Sequence, residues 1–154
     1  MAGRVEQIYI ANDSREPVQR VERANLVQGK GIIGDRYYKK SEMLLAKDQQ
    51  TPSNHLSLIA KEELDRFLSE HNLDMAYGDF RRNLVSSGID LNSLVGKEFS
   101  VGKALCFGTE LCEPCAFLAS SVHPAVLPNL VHRAGLRAVV LVGGEIEEGS
   151  EITV

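Results

Sequence analysis

A chain of 154 residues, 44% hydrophobic and 25% charged, suits one compact domain spanning residues 1–154. Its net charge of −4 and pI of about 5.6 argue against a nucleic-acid groove, which shows as a basic patch or a high pI. Three cysteines make no disulfide framework, and no stretch approaches the roughly 20 apolar residues that span a bilayer.

In chain order, MAGRVEQIYIAND carries Arg4 and Glu6 and lacks the apolar run of a signal peptide; the expected location is the reducing cytoplasm. GRVEQIYIA reads as a first strand ending at the turn-prone NDSREP, and VERANLV as a second. QGKGIIGDRYY follows, with Gly29, Gly31 and Gly34 close together. Residues 39–54, KKSEMLLAKDQQTPSN, are polar and aperiodic and predict a long, weakly ordered loop. HLSLI is a short strand. AKEELDRFLSEHN is the best helix, with Leu64, Phe67, Leu68 and His71 on one stripe. RRNLVSSG is a strand with a glycine exit, IDLNSLVG a short helical turn, and KEFSVG and KALCFGTELC two strands around Gly102. VLPNLVHRAG predicts a second helix, with Pro128 in its first turn, Gly135 at its C-terminal cap and Leu127, Leu130, Val131 and Ala134 as its apolar stripe. LRAVVLVGG and EITV close the chain as strands. About eight short strands without regular intervening helices predict a mainly β fold, a mostly antiparallel barrel with two appended helices.

The chemistry concentrates in TELCEPCAFLAS, where Cys112 and Cys115 flank Glu113 and Pro114 at CxxC spacing. Four readings fit: a redox couple, half of a zinc site, one reactive thiol beside a spectator, or core filling. A zinc site needs two further ligands, and His55, His71, His123 and His132 stand at no recognised finger spacing. A thioredoxin-like couple belongs at a βα junction early in an α/β domain, whereas this pair lies two-thirds along a β-rich chain. Cys106, between Leu105 and Phe107 in mid-strand, reads as a small core residue. Cys115 follows Pro114 where the chain leaves the sheet, and a thiol on a stiff turn at a barrel mouth is a candidate reactive or metal-binding group.

GKGIIGDRY, FRRNLVSSGIDLNSLVGKEFSVGKALCFGTELCEPC and HRAGLRAVVLVGGEIEEGSEI, in that order, resemble the MOSC domain, the molybdenum-cofactor sulfurase C-terminal module, in the size of its stand-alone bacterial members. The most specific pieces are the Arg-x-Asn strand, the G-x-D-L…L-x-G run and the Pro-Cys pair. The resemblance implies a closed β-barrel of the pyruvate-kinase-barrel type. It implies that Cys115 is the reactive thiol, the molybdenum ligand of the amidoxime-reducing relatives, and that Arg81 and Asn83 help hold the pterin. Arg36, with Asp35 in the Gly-Asp-Arg turn, is a second-rank cofactor-binding candidate. A thiolate is a suitable soft ligand for molybdenum, and arginine offers a planar fork of donors to a phosphate. His132, Arg133 and Arg137 are candidates for further positive charge near the site.

Three functions follow as expectations. The first is a molybdenum-cofactor (molybdopterin) enzyme that reduces N-hydroxylated or related small-molecule substrates with electrons from a partner protein. The second is a sulfur carrier that holds a persulfide on Cys115, loaded by a sulfur-donor protein, and delivers its sulfur to a metal–sulfur centre, with Cys112 as resolving thiol. The third is a non-enzymatic module that docks a ligand or partner. None of them engages nucleic acid or a membrane.

Overall fold

In the computed structural model of the protein, residues 2–50, 54–113 and 130–154 are described. They form eleven strands and two α-helices: β1 (Gly3–Ile10), β2 (Gln19–Val21), β3 (Arg23–Val27), β4 (Gly31–Ile32), α1 (Arg36–Ala46), β5 (Leu56–Ala60), α2 (Lys61–Glu70), β6 (Leu84–Ser87), β7 (Glu98–Val101), β8 (Ala104–Leu111), β9 (Leu136–Val142), β10 (Gly144–Glu147) and β11 (Glu151–Thr153). Strands run β11-β7-β8-β9-β5-β6-β1, and Gly3 and Arg4 of β1 pair back onto Ile152 and Glu151 of β11, closing a seven-stranded barrel. β2 lies beside the far end of β1, and β10, β3 and β4 make a separate three-stranded sheet. Most pairings are antiparallel; β5 and β6 are parallel, joined through α2 as a crossover requires. No helix among the described residues is long and apolar enough to cross a membrane.

Strand burial explains the sequence pattern. Val5 and Ile8 of β1, Leu58 of β5 and Leu84 of β6 point into the barrel, with Phe99, Val101, Cys106 and Val140. Their neighbours Tyr9, Ile59 and Val85 point outward and are buried again, beneath Leu64 and Phe67 of α2 and beside Phe80, Leu130 and Ala134. Strands covered on both faces read as continuous apolar runs, as LSLI and LVS do here, whereas LRAVVLV on β9 alternates.

Two expectations need correction. Residues 39–46 belong to α1 rather than to a loop; the helix begins at Arg36 with Asp35 as N-cap, whose carboxylate accepts the Tyr37 N–H at 3.2 Å and the Ala11 N–H at 3.0 Å. The helix escapes a periodicity search because its buried centre is Ser41, a polar residue whose hydroxyl donates to the Lys30 carbonyl at 3.1 Å. The second correction concerns 130–134, which are turn and bend rather than helix, although Leu130 and Ala134 are buried as their stripe required. The rest of that predicted helix, Pro128 included, lies outside the described residues. Gly135 has φ 114° and packs so closely on β5 that a Cβ would sit 2.0 Å from the Leu58 carbonyl oxygen, so it serves chain re-entry into the barrel rather than a helix cap.

His55 sits, 4% exposed, where the small sheet meets the barrel. Its Nδ1 accepts the Val140 N–H at 2.9 Å, so the proton is on Nε2, which is buried without a partner among the described residues. Burial lowers its pKa. An unfolded His55 titrates near 6.5, so the unfolded chain binds the extra proton first as pH falls. Stability is therefore expected to be complete above about pH 6.5 and to decline below it, by at most about 1.4 kcal/mol per pH unit from this residue, until the folded pKa is passed. Urea midpoints of the protein and of His55→Gln across this range test it; equal pH slopes for the two would assign the acid sensitivity elsewhere.

Candidate functional site

The thiol side of the barrel opens into a cleft of about 550 Å³ lined by residues from five parts of the chain. β1 runs out into Asn12, Asp13 and Ser14; α1 contributes Arg36, Tyr37, Lys39, Lys40 and Met43; the approach to β6 contributes Arg81 and Arg82; β8 and β9 contribute Cys112, Glu113 and Arg137. Six of these side chains are cationic and two are acidic, so the cleft is locally basic in an acidic protein.

Arg81 stands at the end of a single 3-10 turn, Tyr77–Phe80, in the left-handed region at φ 64°, with its N–H on the Gly78 carbonyl. That conformation costs free energy in a non-glycine residue and is repaid by its guanidinium, which donates to the carbonyls of Glu16 at 2.6 Å and Ser14 at 2.9 Å. Arg81 thereby straps the loop after β1 over the cleft. Burial, and then the charge of Arg36, lower its pKa. Arg36 is itself half-buried; it pairs with the fully buried Asp35 at 3.0 Å, donates to the Arg81 carbonyl at 2.9 Å and lies 4.5 Å from the Tyr37 ring centroid. Arg82 spends only Nε, on the Ala134 carbonyl at 2.9 Å.

Asn83 is completely buried and does not line the cleft. Its Oδ1 accepts from the Ser57 N–H at 3.0 Å and the Ser57 hydroxyl at 3.3 Å, and its Nδ2 donates to the Tyr9 carbonyl at 3.0 Å. It fastens β1, β5 and β6 together directly beside Arg81 and Arg82. The Arg-x-Asn sequence is thus a locked asparagine holding two arginines at the rim of the barrel.

Cys115 and Pro114 lie outside the described residues. Cys112 does line the cleft, buried just past the end of β8, with its N–H on the Gly135 carbonyl at 2.8 Å. Beside it stands Arg137. Burial works to lower the Arg137 pKa, but hydrogen bonding and charge from Cys112, then the charge of Glu110, raise it overall. Among the described residues, Arg137 Nε is buried without a partner. Cys106 is in the barrel interior, where desolvation pushes its pKa up to about 12. It faces away from this chemistry, as its mid-strand place implied.

Sequence reading had set His132, Arg133 and Arg137 together as possible site cations, and the structure divides them. Only Arg137 enters the cleft. His132 and Arg133 line a separate cavity of about 580 Å³ with Glu62, Glu63, Asp90 and Asn92. His132 is also bound to the Glu113 carboxylate, through its backbone N–H and Nδ1, both at 2.7 Å. That cavity mixes both charges and holds no cysteine among the described residues, so the basic cleft is the better candidate. No group of three or more His, Cys, Asp or Glu able to hold a metal ion occurs among the described residues, which leaves the zinc reading without support there. The cleft residues that sequence reading missed are Asn12, Asp13 and Ser14 after β1, Arg82, and Tyr37, Lys39, Lys40 and Met43 of α1, the last three within the stretch predicted as a loop.

Comparison with known proteins places this architecture. No curated protein matches the chain in sequence. The crystal structure of the YuaD protein from Bacillus subtilis superposes with TM-score 0.81 at 18% identity, over 99% of this chain and 94% of that one. YiiM from Geobacillus stearothermophilus gives 0.75 at 15% identity, over 98% and 74%. YiiM from Escherichia coli gives 0.69 at 18% identity, over 99% and 69%. At these identities the likeness shows the fold. The sequence profile of the MOSC domain matches residues 46–153, most of the chain and every barrel strand except β1, and the protein is a member of the MOSC domain family.

Proposed function

We propose that the basic cleft binds molybdenum cofactor, with Cys115 as the protein ligand to the metal, and that the protein reduces N-hydroxylated or related small substrates with two electrons from a partner protein and two protons from solvent, releasing water. The observation that carries this reading is the donor set of the cleft, in which arginines and lysines surround a cysteine sulfur at the end of β8. Its chemistry fits the group: cationic forks suit a phosphate, and a soft sulfur ligand suits the metal. The orphaned Arg137 Nε is one donor a bound anion would satisfy. Two residues, Glu113 and Pro114, separate Cys112 from Cys115, so their Cα atoms lie three steps of chain, at most about 11 Å, apart.

When bound, the cofactor supplies oxygen-atom removal from the substrate. This chain's residues bind and orient. Arg82 and Arg137 present uncommitted N–H groups to anionic oxygens, Arg81 holds the loop of Ser14 and Glu16 in place beside them, and Asn83 keeps Arg81 and Arg82 at a fixed height at the approach to β6. Tyr37 and Met43 of α1 complete the lining of the cleft.

Protein purified from a host able to make the cofactor is expected to carry near-stoichiometric molybdenum and pterin. Metal and pterin analysis checks this; only trace molybdenum, with no uptake of free cofactor, would end the reading. Cys112 inside the cleft supports a second reading, a sulfur carrier with Cys115 as persulfide site. A protein that gains cyanide-labile sulfur on Cys115 after incubation with a persulfide donor, and never holds molybdenum, would establish that alternative.

A further inference from the structure

The loop that joins β1 to β2 is anchored at its ends and unpacked between them. At one end Ala11 is buried, with its N–H on Asp35 Oδ1 at 3.0 Å; at the other Val18 packs against the outer apolar cluster beneath α2. Residues 12–17 are all exposed, so no apolar burial holds the span between. Asp13 accepts the Arg15 N–H at 3.0 Å with its carboxylate and the Glu16 N–H at 3.2 Å with its carbonyl, which folds the span on itself without fixing it to the barrel. Yet Asn12, Asp13 and Ser14 line the cleft.

Among the described residues, two side chains reach this span from the body of the protein. Lys39 of α1 donates to Asn12 Oδ1, and Arg81 donates to the carbonyls of Ser14 at 2.9 Å and Glu16 at 2.6 Å. Lys39 is exposed and makes one bond from a flexible stem; Arg81 makes two with a planar fork. The Arg81 backbone is itself fixed on both sides, its N–H on the Gly78 carbonyl and its carbonyl on Arg36 Nη2 at 2.9 Å. It keeps φ 64°, at a cost in free energy for arginine, and the fork that leaves it ends on the loop. Neither acceptor is charged, so the fork holds main chain in place rather than making an ion pair.

We propose that residues 12–16 are a lid on the cleft and that Arg81 is its latch, a positioning residue that sets how fast the cleft's ligand enters and leaves. The proposal rests on the reading of this cleft as the ligand site, and it gives Arg81 a gating role in place of a contact with the ligand. Both terminal nitrogens of Arg81 are taken by the loop, which leaves Arg82 and the buried Nε of Arg137 as donors for a bound anion. A lid whose own bonds are the same with the cleft empty or filled raises the barrier to exchange in both directions and leaves affinity alone, because a ligand and a conformational equilibrium bias each other only through a difference in affinity.

The test compares Arg81→Lys, which keeps the charge and loses the fork, with Arg81→Gly, which also relieves the left-handed backbone and so folds without that strain. In cofactor-free protein the Arg15 and Glu16 amides are expected to exchange about tenfold faster in both variants, two charge-assisted bonds having been lost, while the paired amides of β1 and β2 keep their rates. Cys112, which lines the cleft, is expected to alkylate severalfold faster. In Arg81→Gly that gain runs against the effect of charge, since a lost cation disfavours thiolate. Arg15→Gln removes a charge from the same loop, away from the fork, and is expected to leave Glu16 exchange unchanged. In protein from a cofactor-competent host, loss of molybdenum and uptake of free cofactor are expected to speed up by the same factor. Loop amides that keep the parent rate in both variants overturn the proposal, as does a rise shared equally by β1 and β2, which marks a merely structural role. Faster loss with unchanged uptake also overturns it and makes Arg81 a direct contact. A protein that never takes up cofactor refutes the cofactor reading alone, because loop exchange and Cys112 labelling still decide the lid.

Discussion

Replacing Cys115 with serine is expected to cut molybdenum retention by more than about tenfold, since loss of groups that merely orient a metal's ligands already costs that much. Serine keeps the size of the side chain and removes the soft thiolate, so the folded state should survive while the metal leaves. Cys106→Ser should do the reverse. Cys106 is fully buried between Phe99 of β7 and Val140 of β9, and a hydroxyl placed there costs about 1–3 kcal/mol while leaving metal content per folded protein unchanged. Its pKa, pushed up to about 12 by desolvation, leaves almost no thiolate at neutral pH, so iodoacetamide should label it slowest of the three cysteines. Cys112→Ser discriminates: mild loss of molybdenum fits a single-thiol ligand site, and severe loss of sulfur loading fits a two-thiol carrier. Metal analysis and per-cysteine labelling by mass spectrometry supply the readouts. A Cys115→Ser protein that keeps its molybdenum, and a Cys115 that labels no faster than Cys106, would together remove the ligand assignment.

Asn83→Ala is expected to have the largest effect on stability, a loss of about 3–5 kcal/mol, because it strands the Ser57 N–H and removes the side-chain partners of the Ser57 hydroxyl and the Tyr9 carbonyl in a dry interior. For a chain of this length that lowers Tm by on the order of 10 °C. Thermal or urea unfolding of the variant measures it, with molybdenum content per folded protein as the companion readout. Loss of stability with little loss of molybdenum at low temperature supports the fastener role that the hydrogen bonds describe. A variant as stable as the parent but devoid of cofactor would make Asn83 a direct cofactor contact instead. Asn83→Asp should not rescue, since it keeps the acceptor, loses the donor and adds a buried charge.

Much of this protein is legible in its sequence, and the legible parts share a cause. Residues 3–11, 55–59, 97–112, 136–144 and 151–154 predict strands that the structure contains, because β-branched and apolar runs between glycine turns leave little other choice, whereas β10 was not predicted. The α2 stripe of Leu64 and Phe67 is equally local, a spacing that any amphipathic helix on a core must show. Barrel closure, the family and the candidate status of Arg36 and Arg81 came from ordered motifs rather than from periodicity. Arg137 was readable too: alternation along LRAVVLV sends Leu136 and Ala138 inward and Arg137 outward.

Only the tertiary structure decided what the site is made of, because the deciding contacts join residues far apart in the chain. Nothing in KKSEMLLA announces a helix whose buried centre is a serine; its partner is a carbonyl at Lys30, and its cap is a carboxylate that also ties down Ala11. That helix then sets Lys39, Lys40, Tyr37 and Met43 opposite Cys112, Arg82 and Arg137. The sequence by itself determined that a barrel would form and that two arginines and an asparagine would stand together; the strand predicted over RRNLVSSG begins only after them, at Leu84. The fold decided that the asparagine faces inward as a fastener and Arg82 and Arg137 outward toward the cleft, because side chains alternate along a strand and a barrel gives its two faces opposite environments.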